Sequence, residues 1–537
     1  VSDPAEAAPS GGRPAWPRWF WPLFGAALVA CMLPFALAPM LPMCDVNGSA
    51  GIVGALLHRA DPATHVNDYF TFNVHASPNA LYWAWSYALG HVMSVSAATN
   101  LFVALFCIAG VPLAFLFALR TTGRPPWLAF LALAAVFHRC LWYGFVGSVA
   151  AVGLLFLEIG LMNVAFARAR PSWADAALAA TLFLLSTAHA FLFLAGAGFW
   201  LLYVALAARQ PSPLWRRLAV GLPALVYLGP WLGPTFVGGQ GPGMSNMVAH
   251  LWAQRAPLPT YLENVHEWFL DAYTSSVDEV VAVVFAVTLA AALVFGVRPL
   301  AGERETGPLS PLTKAGAPDR LWRLRLPLTS LALALGYLLL PMSIDRPFGW
   351  WAVNVRLLVP FLLSLGLLVR VRARGLPAWV FTPVCGAAIF YGLFIAHDFR
   401  RWWMGVELDG FREALASIPE GKKVHALWPA FEGERHYSHF PMAHLVDWYI
   451  VERGGLATPA MTSVPKELWA SPKPVPATPW SLERYFTWDY GRHWDYFLAK
   501  LPAPGNGGMY HPFSGSAPGT VTKVFEKGLW QVWRRDR

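Results

Sequence analysis

Long apolar runs separated by short polar links dominate residues 20–397. A helix needs about 20 apolar residues to cross the hydrocarbon of a bilayer. That criterion predicts spans at 20–43, 97–119, 127–139, 142–166, 173–187, 189–208, 218–237, 277–297, 326–343, 352–369 and 378–397. The 127–139 and 173–187 pieces are short enough to be broken or re-entrant. Between the first two spans, GIVGALLH places Ile52, Val53, Leu56 and Leu57 on one helical face, the pattern of a helix lying in the membrane interface. Ser77 and Pro78 then start a second helix as cap and first-turn proline, and it carries Tyr82, Trp83, Trp85 and Tyr87 at headgroup level.

Beyond 397 the pattern changes. Residues 409–418 and 442–453 fit helices, 422–429 a strand, and 519–535 a hairpin turning at Lys527 and Gly528. The proline-rich stretch 463–480 is expected to be ordered only by lying on something else. The resulting fold class is an α-helical polytopic membrane protein of about eleven transmembrane helices with a C-terminal extracytoplasmic α/β domain. Its divisions are a lead at 1–19, a transmembrane domain at 20–397 and the outer domain at 398–537. Outer loops at 44–96 and 238–276 interrupt the transmembrane part.

Composition agrees: the 537 residues are 56% hydrophobic and 13% charged, outside the range of soluble domains. The net charge of +9 does not imply nucleic acid. Its arginines gather in short links such as 120–124, 168–171, 209–217 and 370–374, as the positive-inside rule requires of cytoplasmic loops. The amino end is therefore expected in the cytoplasm, ahead of an uncleaved first span, and the tail outside. Bias toward Ala, Gly, Pro and Arg points to a bacterial inner membrane. The five cysteines lie in or beside apolar runs, and neither a disulfide framework nor a metal cluster is suggested.

The first acid beyond the first span is Asp45, in LPMCDVNGSAG. A first span with its amino end inside, a large first outer loop opening on an acid, broken spans and an outer C-terminal domain together resemble the GT-C superfamily of membrane glycosyltransferases. LLSTAHAFLFLAGAGFWLL (184–202), WAVNVRLLVPFLLSL (351–365) and FREALASIPEGKKV (411–424) are similar to segments of that superfamily. The resemblance implies a sugar donor linked to polyprenyl phosphate and a base at the acid of the first outer loop, the position of Asp45. Asp45 could equally cap the following helix. The superfamily often carries paired acids, whereas Asp45 stands alone in CDVNG, so the need for a divalent cation stays open.

Inverting transfer needs a base for the incoming hydroxyl and a cationic cradle for the departing phosphate. Asp68, in HVNDYFTFNVH with His65 and His75, is either a second acid that helps bind the acceptor or part of a solvated turn. His65 and His75 are too far apart for helical metal-ligand spacing, and no metal ligand is assigned. Three arginines fall on the outer face where topology does not call for them: Arg139, Arg346 and Arg356. A charge there costs about 2.5–3.5 kcal/mol on insertion scales and needs a partner. Arg356 either binds phosphate or pairs with Glu158 or Asp345. Arg139 either joins the cradle or snorkels beside His138. His189 resembles the superfamily's span-boundary histidine, in a substrate-binding or a structural role. Glu263, His266 and Glu267 share a helical face that reads as solvated, and GGQGPG (238–243) as a hinge. Trp428, Trp448, Trp480, Trp488 and Trp494 stack on sugar, rest on the bilayer or form core.

The expected function is a glycosyltransferase with Asp45 and Asp68 as catalytic acids and Arg356, Arg139 and Arg346 as phosphate ligands. His65, His75 and His189 would contact substrate. Its partners would be the bilayer, a polyprenyl-phosphate-linked sugar and a glycan, lipid or protein acceptor. The alternatives are a lipid-linked saccharide transporter or polymerase and a non-catalytic accessory subunit of the same fold.

Overall fold

A computed structural model describes residues 18–237 apart from 75 and 78, and 257–296, 320–344, 350–369, 378–428, 436–458, 469–473, 491–501 and 521–536. Helices stand on every expected apolar stretch. Phe20–Leu37, Val95–Thr121, Val146–Phe166, Val277–Gly296 and Trp379–Ser417 are long and apolar enough to cross a membrane. Pro126–Ala135, Trp173–Ala188, Ala190–Leu206, Arg325–Leu339 and Val355–Gly366 are shorter apolar helices, joined by Leu222–Val237. The protein is thus a mostly helical, polytopic membrane protein, and its buried side chains run as one cluster from these helices into the tail.

The tail folds around a five-stranded mixed sheet in the order Leu456–Thr458, Lys423–Leu427, Tyr496–Lys500, Trp530–Arg535, Val521–Lys527. The first three strands run parallel and the last two antiparallel. The final hairpin turns at Gly528, with φ +58°. Trp428, Trp448 and Trp494 are all buried, which makes them core and not sugar platforms. Trp480 and Trp488 lie outside the described residues. The proline-rich stretch does lie on something else where it is described: Ala470–Pro472 pairs antiparallel with Phe70–Phe72 of the first outer loop, Phe70 opposite Pro472.

The Cys44–His58 helix differs from expectation. Its apolar stripe faces protein, not lipid: Ile52, Val53 and Leu56 are buried, as are Asn47 and Ala50. The Trp448–Arg453 helix of the tail packs on it. Gly54 permits that approach, because a Cβ there would meet the Val451 backbone at 2.6 Å. Asn47 locks the pair, donating from Nδ2 to the Met43 carbonyl at 2.8 Å and accepting at Oδ1 from the Trp448 indole at 2.8 Å. An amphipathic stripe records only that one face avoids water, and here the tail supplies the apolar partner.

The expected 442–453 helix is also shorter. His444 adopts left-handed backbone, φ +60° and ψ +8°, and breaks the run, so a 3-10 turn at Leu445–Asp447 precedes the helix proper. The preceding segment threads between Pro42 and the 271–274 stretch. The Ser438 N–H donates to the Ala272 carbonyl at 3.0 Å, and the His439 ring meets the Pro42 carbonyl at 2.6 Å. This path carries His444 to the start of the Cys44–His58 helix.

Candidate active site

Asp45 sits in the first turn of the Cys44–His58 helix. It is not the cap: the cap position is Met43, with no side-chain cap bond. The free Asp45 N–H donates instead to the Tyr143 carbonyl at 3.0 Å. Helix starts leave such donors unpaired, and here a backbone loop supplies the acceptor. Gly144 makes that contact possible. Its φ is +79°, and a Cβ would fall 2.5 Å from the Val46 nitrogen and 2.7 Å from that of Asp45. The carboxylate is thereby held half-buried just past the short Arg139–Trp142 helix.

Cys44 donates its thiol to Asp45 Oδ1 at 3.3 Å. His444 completes a group of three: ligand-type atoms of Cys44, Asp45 and His444 all lie within 4.8 Å of one another. Burial pushes the Asp45 carboxyl above its ordinary range, while the His444 charge, the Cys44 hydrogen bond and the Arg356 charge each pull it back. Burial, reinforced by the Asp45 charge, drives the Cys44 thiol well up, so it stays protonated and donates. A carboxylate with raised proton affinity is a better proton acceptor than a solvated one. His444 and Cys44 escaped sequence reasoning. The CD dipeptide at the helix start was visible, but nothing local tied it to a histidine 400 residues later.

Arg356 comes from a different part of the chain. The Ser343–Ile344 and Trp350–Trp351 strands pair antiparallel, and the following 3-10 turn Val355–Leu357 presents the guanidinium. It lies 4.3 Å from the Phe145 ring centroid, donates from Nη2 to the Trp351 carbonyl at 3.1 Å, and meets His189 Nε2 through Nη1. Its buried Nε–H has no hydrogen-bond partner among the described residues. It is not paired with Glu158, whose buried oxygens also lack a hydrogen-bond partner there, and Asp345 lies outside the described residues. His189 caps the Ala190–Leu206 helix, with Nδ1 3.4 Å from the Leu192 nitrogen. Both neighbours of the ring are donors, and a neutral imidazole has one lone pair to offer. The ring therefore accepts from one of them at a time, and it stands directly against the Arg356 guanidinium.

Arg139 stands beside this group with its charge already answered. Nη1 reaches Glu267 Oε1 at 2.5 Å and Asp271 Oδ2 at 2.8 Å, and the guanidinium lies 5.5 Å from the Tyr143 ring and 5.4 Å from that of Trp268. Glu267 is therefore no merely solvated acid: it and Asp271 clamp an arginine. Both Arg356 and Arg139 act electrostatically on the buried Cys140. Tyr143, Trp268 and Trp351 close an aromatic wall, with centroids 5.2–5.5 Å apart, and Trp351 keeps 43% of its surface exposed.

Asp45, Arg356, His189 and Arg139 are thus brought together. Asp68 and His65 are not: they pair with each other at 2.9 Å on the exposed surface beyond the far end of the Cys44–His58 helix. Fifteen helical residues span about 22 Å, which separates Asp68 from Asp45 by roughly that length. Arg346, His75 and the 238–243 hinge lie outside the described residues.

No protein-family model matches the chain, and no curated relative matches by sequence. Two solved structures share its fold: ArnT from Cupriavidus metallidurans bound to undecaprenyl phosphate, and the same protein in the apo state. Each aligns with a TM-score of 0.52 over 96% of this chain and 97% of that chain, at 12% identity. The likeness is one of fold.

Proposed function

We propose that the protein is a bacterial inner-membrane glycosyltransferase of GT-C type, which moves a sugar from a polyprenyl-phosphate donor to an extracytoplasmic acceptor. One observation carries the reading. A half-buried carboxylate of raised proton affinity, Asp45, and an arginine with an unanswered buried donor, Arg356, act on each other at one end of the helices. They do so in a chain that shares its fold with a protein solved with undecaprenyl phosphate.

In the proposed step the acceptor hydroxyl attacks the anomeric carbon of the donor. Its proton passes to Asp45 as the new glycosidic bond forms. The bond from the anomeric carbon to the phosphate oxygen breaks, and its electron pair leaves with polyprenyl phosphate. Arg356, held by His189 and the Trp351 carbonyl, neutralises the charge developing on that oxygen, where a fixed donor in a dry site is worth more than in water. Arg139 joins the cradle when Glu267 and Asp271 release it. In this orientation the amino end is cytoplasmic and the tail, packed on the loop that holds Asp45, forms the acceptor side.

The test is reconstitution in liposomes with a labelled polyprenyl-phosphate sugar. Appearance of the label on an acceptor, with polyprenyl phosphate released in equal amount, supports transfer. Movement of intact donor between leaflets without release contradicts it and favours a transporter.

A further inference from the structure

We propose that Cys44, Asp45 and His444 form a binding site for a borderline-soft divalent cation, zinc before all others, which fastens the tail to the first outer loop. The site stands on the geometry of three side chains; its consequence for catalysis rests on the transfer reading above. Sulfur, carboxylate oxygen and imidazole nitrogen within 4.8 Å of one another need only small side-chain rotations to reach a common ion. At ordinary zinc bond lengths, tetrahedral ligand atoms sit roughly 3.3–3.8 Å apart.

The donor set selects the metal. A thiolate is a soft ligand that magnesium and calcium do not favour, whereas zinc accepts sulfur, nitrogen and oxygen together. A thiolate, a carboxylate and a neutral imidazole carry two negative charges, which a divalent ion cancels in a site where two of the three side chains are buried. The proton that Cys44 now shares with Asp45 would be released on binding.

Two further observations point the same way. His444 is one of three non-glycine residues with positive φ among the described residues, and strained backbone of this kind gathers at ligand-binding positions. Its Nδ1 stands 4.0 Å from the buried Asp447 carboxylate, at ion-pair range and beyond a hydrogen bond, close enough for a small ring rotation to bring the two together. Three protein ligands leave a fourth position to water or to a substrate oxygen.

Cobalt(II) titration of the purified full-length protein reads the site directly, because a cobalt-thiolate bond gives an intense near-ultraviolet charge-transfer band. The expected result is a band that saturates at one equivalent, is displaced by zinc and not by magnesium, and is absent in Cys44→Ser. His444→Asn, whose side chain tolerates left-handed backbone, should weaken cobalt binding about ten-fold or more. Circular dichroism of both variants checks that they fold. No band in the wild type, an unchanged band in Cys44→Ser, or unchanged affinity in His444→Asn overturns the proposal. None of these readouts uses sugar transfer, so the metal site and the transfer reading fail separately.

Discussion

Arg356 directs Nη1 at His189 Nε2 while its Nε–H finds no hydrogen-bond partner among the described residues. An unpaired buried donor on a charged group costs free energy that a bound phosphate oxygen would recover. Arg356→Ala is therefore expected to lower transfer by about 10²–10³-fold, the usual loss for a removed charge-stabilising donor. Arg356→Lys should recover only part, because it keeps the charge and loses the planar fork. Steady-state kinetics with a polyprenyl-phosphate sugar check both, and wild-type kcat/KM in the alanine variant would remove Arg356 from the cradle.

Asp45 predicts opposite effects on activity and stability. Its carboxyl is raised from an ordinary value of 3.8, chiefly by burial, so the folded protein holds this proton more tightly than the unfolded chain. Its stabilising contribution is complete below 3.8 and disappears as pH rises through the raised folded value. At neutral pH the ionised group is a burden. In metal-free protein, Asp45→Asn should raise the thermal midpoint at pH 7, with the gain shrinking toward pH 4. Transfer by the wild type should fall on the acid side as the base becomes protonated. A lower midpoint in the variant at pH 7 would mean that Asp45 serves the fold.

The tail is predicted to be a fixed part of the membrane domain. Gly54→Leu would force side-chain atoms into the Val451 backbone, where a Cβ alone already comes within 2.6 Å. Overpacking of this kind costs about 1–3 kcal/mol. The variant should unfold at lower temperature and show faster proteolysis near 442–453. An unchanged cleavage pattern would show that the two helices separate freely.

Much of this architecture was legible in the chain because bilayer-length apolar runs have few other uses. The eleven stretches became helices, and alternation in 422–429 and 519–535 became strands. What failed were the partners. The stripe Ile52, Val53, Leu56 and Leu57 looks the same whether it meets lipid or protein, and the partnering residues lie 400 positions away. The glycines of GSAGIVG were the visible sign of close helix contact, but small residues alone do not name a neighbour. Asp45 and Arg356 were found because a charge at a span boundary needs a reason. Asp68, in the middle of its loop, offered no such constraint and lies with His65 on the far side, since a loop acid can be answered by water. Glu267 reads from its spacing as part of a solvated face, because the arginine it holds lies 128 positions earlier in the chain.

Asn47 offers a separate check on the joint. Asn47→Leu leaves the buried Trp448 indole N–H without its acceptor, a loss of about 1–3 kcal/mol. A fall in thermal midpoint with the Asp45 pH dependence of transfer intact is expected. An unchanged midpoint would show that water replaces the amide.

The most direct measurement is transfer by purified Asp45→Asn beside the wild type, at equal protein in the same liposomes and with a polyprenyl-phosphate sugar as donor. The account predicts transfer by the wild type and its loss in the variant, with donor binding retained through Arg356. Equal transfer by the two proteins would contradict it.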